Sequence, residues 1–318
     1  MIKVPEHVLS DLCEKLSIQK GTLSFLGGDR EDSDGIVYTY LAQGKKMVVK
    51  LLAIPMDDKK SFENLKLRVQ YANYLGEHGI HIACPIFNGN HNLYETSIAD
   101  NYIFTAYIMN FVEGKSPTNE ELTDELVREW GKLTGKSHRV TKEFTKTLQS
   151  FESYEGELNY FKCRCKEPVV KEAWSEMSQQ LSAFPTSVED YGFIHNDNHQ
   201  HNILVSNNEI TLIDFDCAGQ QFFVQDITTP AQEIMFDLTG GMISPITDAT
   251  RLKQFFDSFL SGYEQENHLS DFWYDKFNLF INYRRLLLYS VMEDWINTKP
   301  DLKAGMIQLI QNPPKISL

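Results

Sequence analysis

The chain has 318 residues, 42% of them hydrophobic and 23% charged, a composition that excludes a disordered or fibrous protein and allows two lobes, because single cores stop growing near ~250 to 300 residues. Its formal net charge of −14 opposes unaided binding to nucleic acid or to an anionic membrane and favours cationic small molecules, with acidity for solubility as the competing reading. The scattered cysteines (Cys13, Cys84, Cys163, Cys165 and Cys217) and the lack of any long apolar run or signal-peptide core give the expectation of a cytoplasmic protein with no disulfide framework.

In chain order, Val8, Leu9, Leu12 and Leu16 predict a helix starting near Pro5. Residues 21–55 alternate three β-prone runs (23–26, 36–40 and 47–54) with turn signals at Gly27, Gly28, Gly35 and Gln43-Gly44, the pattern of an antiparallel meander. Phe62, Leu65, Val69, Ala72 and Leu75 then mark a helix stopped by Gly79, and further β-prone segments cover 83–88, 93–98 and 102–112. From Thr123 onward helical patterns dominate, at 123–138, 166–182, 250–266 and 276–297. The expected fold is α+β, with a β-rich lobe over 1–110 and a larger, mainly helical lobe over 111–318.

Two stretches interrupt the helical half. "FIHNDNHQHNILV" (193–205) concentrates His195, Asp197, His199, His201 and Asn202, and "NNEITLIDFDCAG" (207–219) carries Asp214 and Asp216. An Asn207-Asn208 turn joins their apolar runs into a hairpin, which brings Asn202 and Asp214 to its open end. Oxygen ligands of this kind suit a hard divalent cation such as Mg²⁺. Asp197, in the loop before Asn202, is placed to accept a hydroxyl proton while the metal pair holds a phosphate under attack. A loop of capping side chains and a three-histidine zinc site are the rival readings; the histidine spacing matches no structural-zinc pattern.

The motif H-x-D-x-H-x-x-N followed by I-D-F-D resembles the aminoglycoside phosphotransferase and choline kinase-like superfamily, relatives of protein kinases. Asn196 stands where family members usually carry Gly. The resemblance implies a two-lobed protein-kinase-like fold with Asp197 as catalytic base, Asn202 and Asp214 as Mg²⁺ ligands, and His195 bracing the loop. It also implies that His199 and Asp216 shape the site and that Asp226 is a buried aspartate tying the loop to the helical lobe.

On that reading the β-rich half holds ATP. Lys50, inside an apolar strand, needs a partner when buried, and nucleotide phosphates would serve; the kinase pattern also pairs it with a helix glutamate, for which Glu63 is a better candidate than Glu77. Backbone N–H groups around Ser33 and Gly35 are the expected phosphate contacts, since the side chains of that loop are acidic. Asn110 and Val112 are expected to meet adenine, with Met109 packing behind the ring. His138 ends a helix as in many family members and reads as structural. Tyr283, Arg284, Tyr289, Glu293 and Trp295 on one late helix read either as core and solvated face or as the lining of a site for a cationic acceptor. The expected activity is ATP- and Mg²⁺-dependent phosphorylation of a small-molecule hydroxyl; a protein Ser/Thr kinase and a nucleotide-binding pseudokinase are the alternatives.

Overall fold

The computed structural model describes residues 4–28, 35–148, 153–232, 234–235 and 249–315. The fold is α+β, with an antiparallel sheet in the N-terminal part and a mainly helical C-terminal part. Two compact units divide the chain, one of Met1–Gly114 with Thr211–Asp216 and one of Lys115–Ile210 with Cys217–Leu318.

The first unit is built on strands β1 (Ser24–Gly28), β2 (Gly35–Ala42), β3 (Lys45–Pro55), β4 (Pro85–Ile86), β5 (Glu95–Ala99) and β6 (Tyr102–Asn110). They run in the order β1-β2-β3-β6-β4, with β5 also on β6, and every pairing is antiparallel. The β2–β3 turn is tight because Gln43 and Gly44 both take positive φ, 51° and 77°, the geometry that matches strand twist. Side chains alternate across β3. Met47, Val49 and Leu51 pack with Phe104 and Ala106 under helix α1 (Glu6–Lys15), whose Val8 and Leu12 are buried. Leu52 and Tyr107 of the opposite face pack with Leu65 and Val69 of α2 (Lys59–Glu77). Lys50 has the parity of Leu52, so it lies on the α2 face. Asp58 caps α2 by accepting from Ser61 N at 3.0 Å, and Gly79, at φ 74°, follows its end.

The second unit contains α3 (Asp124–Thr147), α4 (Tyr154–Arg164), α5 (Pro168–Leu181), α6 (Phe223–Thr228), α7 (Thr250–Tyr263), α8 (Asp271–Tyr274), α9 (Phe277–Ile296) and α10 (Pro300–Gln311). Strand β7 (Tyr191–Ile194) pairs antiparallel with β10 (Gly219–Phe222). Strands β8 (Ile203–Ser206) and β9 (Glu209–Leu212) form the expected hairpin, its turn made by Asn207 and Asn208 at φ 50° and 63°. Thr123 caps α3 by accepting from Leu126 N at 3.3 Å. Among the described residues no helix is long and apolar enough to cross a membrane.

Helices α3 and α7 touch backbone to backbone. A Cβ on Gly131 would stand 1.9 Å from the Phe259 carbonyl oxygen, and one on Gly262 would stand 1.8 Å from that of Arg128. Neither obstacle is a side chain that can rotate away. Gly131→Ala is therefore expected to lower unfolding free energy by about 3 kcal/mol, the upper part of the overpacking range, as read from a shifted denaturant midpoint.

Candidate active site

The loop between β7 and β8 is held from below by one buried carboxylate. Asp226, in the first turn of α6, accepts from His195 N at 2.9 Å through Oδ2 and from Asn196 N at 2.8 Å through Oδ1. His138 of α3 completes this base: its Nε2 lies 3.4 Å from Asp226 Oδ2 and its Nδ1 lies 2.9 Å from Tyr263 OH. A carboxylate can only accept, so the ring carries its proton on Nε2. Burial pushes the imidazole pKa down even against Asp226, and His138 is a neutral packing residue stacked on Phe223.

With its N–H clamped, Asn196 sits in the left-handed region at φ 66°, which turns the chain and presents Asp197. Asn198 anchors the far side, accepting from Trp130 Nε1 at 2.9 Å and donating to Thr134 Oγ1 at 3.0 Å. Among the described residues the Asp197 carboxylate has three side-chain neighbours. Asn202 Nδ2 donates to Oδ2 at 3.0 Å. His199 Nε2 stands 3.4 Å from the same oxygen, and its proton lies there because Nδ1 accepts the His201 amide at 3.1 Å. Arg284 Nη2 of α9 contacts Oδ1 at 2.6 Å, with Nε on Gln232. Burial works to raise the Asp197 pKa, but the His199 hydrogen bond and the Arg284 charge outweigh it and hold the carboxyl well below the usual carboxylate range.

In the first unit, Lys50 is 8% exposed. Its Nζ lies 2.5 Å from Asp216 Oδ2 and 3.0 Å from Asp214 Oδ1. Burial pulls the ammonium pKa down, yet the Asp216 and Asp214 charges and the Asp216 hydrogen bond outweigh it and keep Lys50 protonated. Asp214 takes φ 64°, an uncommon conformation for a residue with a Cβ and a frequent mark of functional loops. Glu63 does not pair with Lys50 as expected: it is on the exposed side of α2, bonded to Lys66. Glu63 lies at the start of a helix whose inner face begins at Leu65, so its side chain turns to water.

Gly35 opens β2, where a Cβ would stand 2.5 Å from the Leu51 carbonyl oxygen. Ser33 lies outside the described residues. Met109 is half-buried against the Leu52–Tyr107 cluster, Asn110 ends β6 opposite Met47 and is exposed, and Val112 is half-buried beyond it. On α9, Tyr283 and Tyr289 are fully buried, Trp295 is exposed, and Glu293 accepts from Lys166 N and Glu167 N at the start of α5. These are core, surface and cap. Arg284 as the partner of Asp197 was not legible in the sequence; its only signal was a charge set among buried positions of an apolar helix.

A family model described as the phosphotransferase enzyme family matches residues 32–263. The chain belongs to that family. Amicoumacin kinase of Bacillus subtilis (strain 168) is 25% identical, over 98% of this chain and 94% of its own length. Two solved structures share the fold. An amicoumacin kinase, hAmiN, in complex with AMP-PNP, Ca²⁺ and Ami, matches with a TM-score of 0.78 at 23% identity, over 93% of this chain and 90% of the other. A microcompartment-associated aminopropanol kinase matches with a TM-score of 0.70 at 16% identity, over 95% and 96%. The protein is thus a phosphotransferase with a kinase-like fold.

The Arg284–Asp197 pair should be costly to break. Arg284→Met is expected to destabilise the protein by about 3 kcal/mol at pH 7, the low end for a buried pair because Asp197 keeps 24% side-chain exposure. A depressed carboxyl pKa contributes stability above the unfolded value of about 3.9 and loses it as pH falls. Denaturation series should therefore show the gap between wild type and variant narrowing below about pH 4.

Proposed function

We propose that the protein transfers the γ-phosphate of ATP to a hydroxyl group of a small molecule, with Mg²⁺ as the metal. The observation that carries this reading is the Asp197 carboxylate, held ionised by Arg284, His199 and Asn202 on a loop clamped by Asp226. A weakly basic carboxylate still serves phosphoryl transfer, where aligning the acceptor hydroxyl matters more than early proton removal. Asp197 would accept the hydroxyl hydrogen, orient the oxygen, and take up the proton as that oxygen bonds the γ-phosphorus and the bond to the β–γ bridging oxygen breaks, releasing ADP.

Lys50 would meet the phosphates with N–H donors that remain beyond its aspartates, and Gly35, with Ser33 as the further candidate, would supply backbone N–H contacts. Met109, Asn110 and Val112 would hold adenine. Asn202 and Asp214 are the proposed Mg²⁺ ligands, and they fit a hard cation. Asn202 directs its Nδ2 at Asp197, which leaves a carbonyl oxygen as donor, and the Asp214 side chain keeps 47% exposure. Held by these two residues, such an ion would supply positive charge against the phosphates during transfer. The net charge of −14 favours a cationic acceptor, and an amino alcohol fits both this field and the aminopropanol kinase among the fold relatives. A cytoplasmic location agrees with the use of ATP.

ATP should raise the melting temperature only when Mg²⁺ is present. Asp197→Asn should keep that shift while turnover falls by at least about a hundredfold, measured across amino alcohols, homoserine, aminoglycosides and sugars. No metal-dependent shift in the wild type would refute nucleotide binding, and normal turnover in the variant would remove Asp197 from its role.

A further inference from the structure

Helix α2 has only two acidic residues, Glu63 and Glu77, and both are directed to solvent. Its buried positions are Leu65, Val69, Tyr71, Ala72, Asn73 and Leu75, with no carboxylate among them. Asn73 is engaged with the Pro85 carbonyl oxygen at 2.9 Å. The helix that provides the lysine's glutamate in the kinase pattern therefore provides none here. Tyr71 of α2 instead meets Phe215 edge-on, ring centroids 6.0 Å apart, and Phe215 is the residue between the two aspartates. The segment is fixed further by Leu212, which donates to His81 O and accepts from Ala83 N, each at 2.9 Å.

The two aspartates differ in setting. The Asp214 side chain is 47% exposed and that of Asp216 15%. Lys50 contacts Oδ2 of Asp216, while Tyr107, directly across the β3–β6 ladder from Lys50, donates its hydroxyl to Oδ1 at 3.4 Å. Burial and the Asp216 charge keep the Tyr107 phenol protonated, hence a donor.

We propose that Asp216, oriented by Tyr107, is the counter-ion that positions Lys50 for the nucleotide phosphates, in the place of the missing helix glutamate. This rests on the nucleotide-binding reading above. Asp214, the more open of the pair, is thereby left to the metal, and α2 acts on Lys50 indirectly, by seating Phe215. Asp216 and Tyr107 are positioning residues.

A double-mutant cycle tests the pair in the nucleotide-free protein. Lys50→Met and Asp216→Asn, singly and together, are unfolded in denaturant with a chelator present. Coupling of about tenfold or more in the unfolding equilibrium is expected, and additive single effects would overturn the proposal. If Asp216→Asn fails to fold, folding of the double variant supports the pair, and failure of both refutes it. With Mg²⁺ and ATP, Asp216→Asn should lose about a hundredfold in kcat, the scale of a misplaced reacting group, with the Mg²⁺ concentration for half-activation unchanged. Tyr107→Phe should cause a smaller loss of the same kind. Rescue of Asp216→Asn by raised Mg²⁺ would instead make Asp216 a metal ligand. The nucleotide reading fails separately, through the wild-type melting shift, which does not enter the cycle.

Discussion

The loop that carries Asp197 depends on one carboxylate accepting two consecutive backbone N–H groups. Asp226 is 2% exposed, and an unpaired charge at that depth would cost several kcal/mol. The bonds from His195 N and Asn196 N, with the His138 ring beneath, supply the compensation. The same bonds hold Asn196 in a left-handed conformation that most side chains resist. That turn sets the direction in which Asp197 leaves the strand, so the aim of the proposed base is fixed by α6 and α3 rather than by its own loop. His138, Asp226 and Asn198 stand outside the proposed machinery, yet each holds the loop that carries it.

Charge compensation is the second constraint, met separately in each unit. Lys50 is a cation inside a sheet, balanced by Asp216 and Asp214; Asp197 is a half-buried anion, balanced by Arg284. Each group of the proposed reaction thus has a partner of opposite sign before any substrate arrives.

Much of this was readable from sequence, for identifiable reasons. The meander of β1 to β3 was legible because alternation and turn residues are local signals, and Gln43-Gly44 and Asn207-Asn208 are turn pairs whose backbone conformation follows from residue type. The long helices were legible through apolar spacing, although α3 runs to Thr147, well past the expected end at 138. Helix α4 was missed: it is short, carries Gly156, and sets Tyr160 at 55% exposure opposite buried Tyr154 and Leu158, which blurs its pattern. Partnerships over long separations left no local trace. Lys50 and Asp216 are brought together by the return of residues 211–216 to the first unit, and Arg284 reaches Asp197 across 87 positions. The expectation for Glu63 failed for a related reason: the kinase pattern names a residue type on a helix, whereas the contact depends on which face of that helix is inside.

The replacement of Gly by Asn at position 196 shows how such a departure is absorbed. A left-handed conformation costs an L-residue roughly 1–2 kcal/mol, less for Asn than for most. Against that, Asn196 Nδ2 bonds the Glu157 carboxylate of α4 and the Cys217 carbonyl, and one hydrogen bond to a charged group contributes about 1.5–3 kcal/mol. These bonds offset the backbone cost where Glu157 is in place, and glycine would lose the link. Glu157 is itself held through its other oxygen by Tyr283 OH, and Tyr283 precedes Arg284. Two successive residues of α9 therefore brace two successive residues of the loop: Tyr283 reaches Asn196 through Glu157, and Arg284 reaches Asp197 directly. A shift of α9 would be felt at both the turn and the carboxylate, which makes that helix, remote in sequence from the motif, part of what holds the motif in shape.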